Sequence, residues 1–302
     1  MSDPKPLPFI YQFAAGAVAG ISEILVMYPL DVVKTRMQLQ VGKASGATAG
    51  QEQYSGVIDC LKKIVQKEGA SRLYKGISSP VLMEAPKRAT KFACNDEFQT
   101  IYKKLFGVSA LTQPLSILSG ASAGICEAFV VVPFELVKIR LQDLNSSYKG
   151  PIDVVKQIIA KEGTLAMYNG LESTMWRHGV WNSGYFGIIF QIRGALPKPK
   201  SKTEKTRNDL IAGTIGGTIG SLLSTPFDVV KSRIQNTASI AGVVRKYNWS
   251  WPSLFVIYRE EGFKALYKGF VPKVLRLGPG GGILLVVFTE MTDFFRRMKN
   301  IQ

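Results

Sequence analysis

Three copies of one charged pattern stand out in the sequence. Each reads proline, any residue, an acid, two apolar residues, a base, any residue, arginine, any residue and glutamine, and the copies begin at Pro29, Pro133 and Pro226. The acid and the base are three residues apart, which puts them on one helix face where they can form ion pairs. Because the pattern recurs at intervals of about 100 residues, the chain is predicted to consist of tandem repeats, at 1–107, 108–203 and 204–302.

A second set of charged and polar residues follows each copy on a helix-like segment. The set comprises Glu84, Lys87, Arg88, Lys91, Arg177, His178, Trp181, Asn182 and Arg276. Arg177 and Arg276 each lie seven residues after a repeated glycine, so they are predicted to lie at equal depth, with Arg88 at another level. Arginine binds carboxylates through paired hydrogen bonds. The staggered cations therefore predict a net positive site for an elongated anion with a carboxylate at each end.

Long apolar runs separate this chain from most basic proteins. Its formal net charge is +16, yet 46% of its residues are hydrophobic. Residues 9–30 and 114–134 contain one charged residue each, Glu23 and Glu127, and residues 210–227 contain none. Runs of about 18–22 apolar residues suffice to cross a bilayer. The charge alone would also suit a nucleic-acid-binding protein, but that class does not need such runs.

These patterns predict an all-α membrane protein with six transmembrane helices. Each repeat has an apolar spanning helix, a short amphipathic helix at the membrane interface and a second, more polar spanning helix. Charged residues on the second helix must face protein or water. With one histidine and three scattered cysteines, no metal set, nucleophile–base pair or phosphate loop stands out. Neither an enzyme nor a cofactor or metal is therefore expected.

The motifs resemble the signature of the mitochondrial carrier family. That signature is proline-x-acid-x-x-base-x-base, then glycine-x-x-x-x-aromatic-base-glycine, and the sequence has it three times over essentially its full length. The resemblance implies a pseudo-threefold barrel in the inner mitochondrial membrane with the short helices on the matrix side. It also implies solute exchange by alternating access around a central site. The chain is expected to act as a monomer.

The resemblance also assigns roles to repeated residues. A matrix gate is expected from pairing of Asp31, Glu135 and Asp228 with Lys138, Lys231 and Lys34, braced by Gln38, Gln142 and Gln235. Lipid phosphate, expected from cardiolipin, is assigned to helix N-termini at Gly56, Gly76, Gly150, Gly170 and Gly269. Two positions depart from the pattern. Asn169 replaces the base in repeat 2, and Trp249 stands where the other repeats have glycine.

The second charged set resembles that of carriers for carboxylic acids. Arg177-His178 resembles the family's contact motif for keto acids and di- or tricarboxylates. The charged stripe of repeat 1, with the glycine run after Arg276, resembles members that exchange C5–C7 2-oxodicarboxylates such as 2-oxoadipate and 2-oxoglutarate. Small dicarboxylate anions are thus the expected partners. Three alternatives stay open: another di- or tricarboxylate, an amino acid whose ammonium meets Glu84, and a basic membrane scaffold without transport.

Overall fold

The structure, a computed structural model, describes residues 8–40, 53–109, 113–144, 146–197, 201–238 and 244–298. Within these ranges the chain forms nine α-helices and no strand, which confirms the all-α prediction. They are α1 (Phe9–Leu39), α2 (Val57–Glu68), α3 (Ser78–Phe106), α4 (Gln113–Gln142), α5 (Pro151–Glu162), α6 (Leu171–Ala195), α7 (Lys202–Asn236), α8 (Ser250–Glu261) and α9 (Phe270–Met298). Each third of the chain therefore has a long, a short and a long helix.

Six helices are long enough to cross a bilayer. The shortest of them, α6, has 25 residues, or about 37 Å at 1.5 Å per residue, against a hydrocarbon core of about 30 Å. Among the described residues, four segments are also apolar enough by composition: Ile10–Leu39, Leu118–Gln142, Leu210–Asn236 and Phe263–Met298. The other two helices, α3 and α6, carry most of the charged and polar set. Such residues belong on helices that face a protein interior.

The six long helices close into a ring. Neighbours around it are α1 and α3, α3 and α4, α4 and α6, α6 and α7, α7 and α9, and α9 and α1. The three helices that carry the motif, α1, α4 and α7, also contact one another. The α6–α7 contact depends on a glycine, because a Cβ on Gly220 would lie 2.9 Å from the carbonyl oxygen of Trp181.

Each repeat has its own small hydrophobic core beside its short helix. The equivalent members are Val32, Val33, Cys60 and Ile64 in repeat 1, Leu136, Val137, Val154 and Ile158 in repeat 2, and Val229, Val230 and Ile257 in repeat 3. Full burial of one such aliphatic side chain contributes roughly 1.5–3 kcal/mol. The two apolar residues of each motif therefore anchor the long helix to the short one, which leaves the acid and the base to face the other repeats.

One ion pair per repeat fixes the end of the short helix. The arginine of the motif contacts the glutamate that ends this helix: Arg36 with Glu68 at 2.8 Å, Arg140 with Glu162 at 3.0 Å, and Arg233 with Glu261. Burial raises the pKa of Glu261, but hydrogen bonds from Arg233 and Lys268 outweigh it and lower that pKa to about 2. Because this pKa is depressed, the stability from these contacts is present above the usual glutamate pKa and is lost as the pH falls through about 2.

Candidate functional site

The acids and bases of the three motifs meet where α1, α4 and α7 converge. Each predicted pair joins one repeat to another: Lys138 Nζ to Asp31 Oδ2 at 3.0 Å, Lys231 Nζ to Glu135 Oε2, and Lys34 Nζ to Asp228 Oδ2 at 3.7 Å. The most exposed of the three acids, Glu135, has 21% of its side chain accessible. The pairs thus link all three repeats at one level, in the register that the sequence predicts.

The three glutamines lie beside these pairs but bond elsewhere. Gln38 Oε1 accepts a hydrogen bond from a serine on α7 at 2.8 Å, and Gln142 Nε2 donates to Tyr28 Oη at 3.0 Å. The side-chain amide of Gln235 is buried without a hydrogen-bond partner in the described part of the chain. Lys138 Nζ lies 5.3 Å from the ring centre of Tyr28, a cation–π distance. Gln142 is therefore linked to the pair of Lys138 and Asp31 through Tyr28.

A cavity of about 260 Å³ lies among the long helices next to the ion pairs. Among the described residues, six basic and five acidic side chains line it: Lys34, Lys87, Lys138, Arg177, Lys231, Arg276, Glu23, Asp31, Glu84, Glu135 and Asp228. Pockets for drug-sized ligands measure roughly 300–1,000 Å³, so this volume suits a smaller ligand. With six basic and five acidic side chains the lining is net positive, as predicted, but only by one charge, because the motif acids face the same space as the arginines.

Arg177 and Arg276, which were predicted to lie at equal depth, both line this cavity, and both face protein carboxylates. Arg276 Nη1 donates to Asp31 Oδ1 at 2.5 Å, and its Nη2 donates to Glu23 Oε1 at 2.8 Å. Arg177 Nε is 3.7 Å from Asp228 Oδ1, beyond hydrogen-bonding distance, and is buried without a hydrogen-bond partner among the described residues. An anion that enters the cavity would therefore compete with acidic side chains for these guanidinium groups.

The charged stripe of α3 folds onto Glu84. This carboxylate is 2% exposed and accepts hydrogen bonds from Lys87 Nζ at 2.5 Å and Arg88 Nε at 2.6 Å. Helix α1 leaves room for the cluster at Gly20, where a Cβ would lie 2.1 Å from Glu84 Oε1. Lys87 and Glu84 line the cavity. Arg88 also contacts Glu84 but is not among the described residues that line the cavity.

Five members of the predicted contact set do not belong to the described wall of this cavity: Arg88, Lys91, His178, Trp181 and Asn182. Lys91 is exposed, and Asn182 is half-buried. His178 Nε2 accepts a hydrogen bond from Arg177 Nη2 at 2.8 Å, and Trp181 stacks on Tyr185 with ring centres 5.0 Å apart. His178 was predicted from the family's contact motif and the other four from helical spacing; in the structure His178 and Trp181 contact the neighbouring side chains Arg177 and Tyr185.

Sequence reasoning missed one charged residue of this region, Lys273. Its Nζ donates to Asp228 Oδ2 at 2.5 Å and to Ser224 Oγ at 2.8 Å. A signal was present, because Lys273 lies three residues before Arg276 and therefore on the same face of α9. The acid Glu23, singled out for its place in an apolar run, has the structural role of holding Arg276.

The glycines assigned to lipid phosphate fall into two structural groups. Gly56 and Gly150 precede α2 and α5 in extended backbone with φ of −178°, which any residue can adopt, and Trp249 takes the same place before α8. Gly76, Gly170 and Gly269 have φ of 83°, 84° and 84°, which favours glycine. A Cβ on Gly170 would lie 2.9 Å from Gln235 Cγ, and one on Gly269 would lie 2.9 Å from Gln38 Cγ. The second group is thus also required for packing between repeats.

At Asn169, where the other repeats have lysine, an arginine from repeat 3 supplies the missing positive charge. Arg245 Nη1 donates to Asn169 Oδ1 at 2.9 Å, and its Nη2 donates to the carbonyl oxygen of Thr237, just past α7, at 2.9 Å. In repeat 3 the motif lysine, Lys268, contacts the equivalent carbonyl of Gln40, just past α1, at 2.6 Å. Arg245 therefore supplies a positive charge at a helix C-terminus, where cations are favourable.

Replacement of Arg245 by alanine is expected to lower the thermal unfolding temperature by about 2–4 °C, the shift for about 1 kcal/mol in a large domain. Adding Asn169→Lys to that variant should restore most of the loss, because lysine then stands where the other repeats have it. Asn169→Lys alone is the control and should not stabilise the protein. A double variant no more stable than Arg245→Ala would contradict this account.

A family assignment follows from comparison with known proteins. The family described as Mitochondrial carrier protein matches residues 5–106, 109–200 and 202–299, almost the whole chain. The chain belongs to the mitochondrial carrier family. Members of this family are transporters, so the carrier is a multi-pass protein of the mitochondrial inner membrane, and its three long–short–long helix units are the three matched segments.

Individual relatives of the carrier cover nearly all of it. Mitochondrial 2-oxodicarboxylate carrier 2 of Saccharomyces cerevisiae is 66% identical over 300 residues, 99% of this chain and 98% of the relative. Mitochondrial citrate transporter D of Aspergillus niger is 69% identical over 299 residues, 98% of this chain and 97% of the relative. The mitochondrial 2-oxodicarboxylate carrier of Mus musculus is 42% identical over 283 residues, 92% of each chain.

Proposed function

We propose that the carrier exchanges C5–C7 2-oxodicarboxylates, such as 2-oxoadipate and 2-oxoglutarate, across the inner mitochondrial membrane by counter-exchange and alternating access. The observation that carries the proposal is the pair of arginines in the cavity wall. Arg276 binds two protein carboxylates, and Arg177 has a buried Nε that no hydrogen-bond partner contacts in the part of the chain that the structure describes. Two guanidinium groups on different helices suit the two ends of a dicarboxylate.

Transport would be coupled to the gate through competition for these arginines. Arg276 contacts Asp31, and Arg177 faces Asp228, and both acids also belong to the gate pairs with Lys138 and Lys34. A substrate carboxylate that takes over a guanidinium group changes the charge around the gate acid beside it. A ligand shifts a conformational equilibrium only by binding one state better than the other, and this shared contact is one source of such a difference.

Citrate is a second candidate, because the Aspergillus niger relative named a citrate transporter is 69% identical. A tricarboxylate needs a third cation, and Lys87 lines the same cavity. An amino acid fits less well. The acid that would meet its ammonium, Glu84, is already bound by Lys87 and Arg88.

We further propose that the carrier is not an enzyme and that it acts as a monomer. We also propose that lipid phosphate, from cardiolipin, binds at the N-termini of the short helices and of the second long helix of each repeat. Backbone N–H groups at a helix N-terminus favour anions. At α8 part of this capacity is used internally, because Glu172 Oε2 accepts hydrogen bonds from Ser250 N at 2.9 Å and Ser250 Oγ at 2.6 Å. Lipid binding is therefore expected to be weaker beside α8 than beside α2 and α5.

Uptake into liposomes tests the substrate assignment. The full chain is reconstituted in vesicles loaded with 2-oxoglutarate, and uptake of labelled 2-oxoglutarate is measured against unlabelled competitors. We expect 2-oxoadipate and 2-oxoglutarate to compete at least about tenfold better than pyruvate, phosphate or ATP, which lack two suitably spaced carboxylates. Vesicles without internal substrate are the control and should show little uptake if the carrier is an exchanger.

Two outcomes would change the assignment. Competition by citrate that exceeds that of both oxodicarboxylates would favour the second candidate. Inhibition by ATP without inhibition by 2-oxoglutarate would contradict a dicarboxylate site altogether.

A further inference from the structure

Lys273 contacts the gate acid Asp228 more closely than the gate lysine does. Lys273 Nζ is 2.5 Å from Asp228 Oδ2, whereas Lys34 Nζ is 3.7 Å from the same oxygen. The side chains of Lys273 and Asp228 are 16% and 5% exposed. Their contact is thus a charge-assisted hydrogen bond in a mostly buried setting, where such bonds are strong.

This contact breaks the threefold symmetry of the gate. Lys273 lies four residues after the glycine that precedes α9, and the equivalent positions in repeats 1 and 2 hold Pro80 and Thr174. The hydroxyl that also receives Lys273, on Ser224, lies two residues before the motif proline, where the other repeats have methionine and valine. Lys273 and Ser224 are therefore peculiar to repeat 3, whereas Asp228 has an equivalent acid in each repeat.

The two lysines that bind Asp228 differ in where they come from. Lys34 lies on α1, in repeat 1, so its pair with Asp228 must break if the repeats separate at the gate. Lys273 lies on α9, which belongs to the same repeat as α7 and contacts it. Separation of the repeats does not by itself break the contact between Lys273 and Asp228.

We propose that Lys273 is a positioning residue that keeps the charge of Asp228 compensated when Lys34 withdraws, and so lowers the barrier to opening the gate. The inference rests on the proposed gating role of the ion pairs. A buried carboxylate left without a partner is strongly unfavourable, and Lys273 prevents this for one of the three acids. The pair formed by Lys34 and Asp228 then opens more easily than it would without Lys273.

Exchange kinetics test the proposal. Lys273→Met should lower the maximal exchange rate of 2-oxoglutarate about tenfold or more, while the substrate KM changes by less than about twofold, because the interaction lost acts on the conformational step. Lys273→Arg keeps the charge and should retain most of the rate. Lys264→Met, which removes an exposed lysine just before α9, is the matched control and should exchange normally. An unchanged rate in Lys273→Met, or a rise in KM that accounts for the loss, would overturn the proposal.

Thermal unfolding in detergent provides a second measurement that needs no substrate. Lys34→Met should cost little stability in the natural sequence but clearly more in the Lys273→Met background, because Asp228 then loses both lysines. Strictly additive shifts would show that the lysines do not share Asp228 and would overturn the proposal. If the natural sequence exchanges no oxodicarboxylate, the proposed function fails, while this cycle still decides whether Lys273 and Lys34 share Asp228.

Discussion

Replacement of Arg276 by alanine is expected to abolish exchange of 2-oxoglutarate in liposomes. Truncation of one partner of a buried, hydrogen-bonded charge pair costs about 2–5 kcal/mol, which corresponds to a loss of about 30-fold or more. Arg276→Lys should also lose most of the activity, because lysine keeps the charge but lacks the planar fork that binds a carboxylate through two hydrogen bonds. Arg177→Ala and Arg177→Lys should behave in the same way.

A control for folding is needed at Arg276, because the alanine variant leaves two acids, Glu23 and Asp31, without this partner. The double variant Arg276→Ala, Glu23→Gln removes one of these unpaired charges and should recover thermal stability without recovering exchange. His178→Ala is the milder comparison, because His178 contacts Arg177 but lies outside the cavity wall that the structure describes. Near-normal exchange in Arg276→Ala would mean that the substrate binds at another depth.

The features that repeat three times could be predicted from the sequence. Three copies of the proline–acid–base pattern fix which residues are equivalent, so the partners of Asp31, Glu135 and Asp228 follow once the repeats are arranged in a ring. The short helices follow from the same register. Buried positions recur at the same distance in sequence from the residue that precedes each short helix, as Ile64, Ile158 and Ile257 illustrate.

The features that occur once could not be predicted, because they depend on which helices approach each other. Arg245 meets Asn169 from another repeat, across 76 positions of sequence. Glu23 on α1 meets Arg276 on α9, where Gly280 leaves the space: a Cβ there would lie 3.1 Å from Glu23 Oε1. Within the glycine run after Arg276, Gly280 thus admits an acidic side chain from the neighbouring helix.

The number of acidic side chains in the cavity wall could also not be predicted from the sequence. The cations of the second set predicted a net positive site, but the sequence did not show that Asp31 and Asp228 reach the same space and lie beside the arginines there. The ion pairs predicted to form the gate and the arginines proposed to bind the substrate therefore belong to one electrostatic network, in which each of the three motif acids has a different set of neighbours. For this reason the three gate pairs are not equally suitable for a test of gating.

Reversal of the pair formed by Glu135 and Lys231 is the sharpest test of the gate. Asp228 is shared with Lys273, and Asp31 is shared with Arg276, whereas Lys231 Nζ donates directly to Glu135 Oε2. Glu135→Lys places two lysines together at the point where α4 and α7 meet, and is expected to lower exchange about tenfold or more, since it leaves the largely buried Lys231 without its acidic partner. Lys231→Glu should have a similar effect.

The double variant Glu135→Lys, Lys231→Glu is expected to recover part of the exchange, because it restores an ion pair between the same two helices. Recovery should be incomplete, since the new glutamate on α7 lies three residues from Asp228 and therefore on the same helix face. Initial exchange rates are measured in liposomes with equal amounts of inserted protein. If the double variant is as inactive as the two single variants, although it unfolds at the same temperature as the natural sequence, charge pairing at this position does not govern the gate.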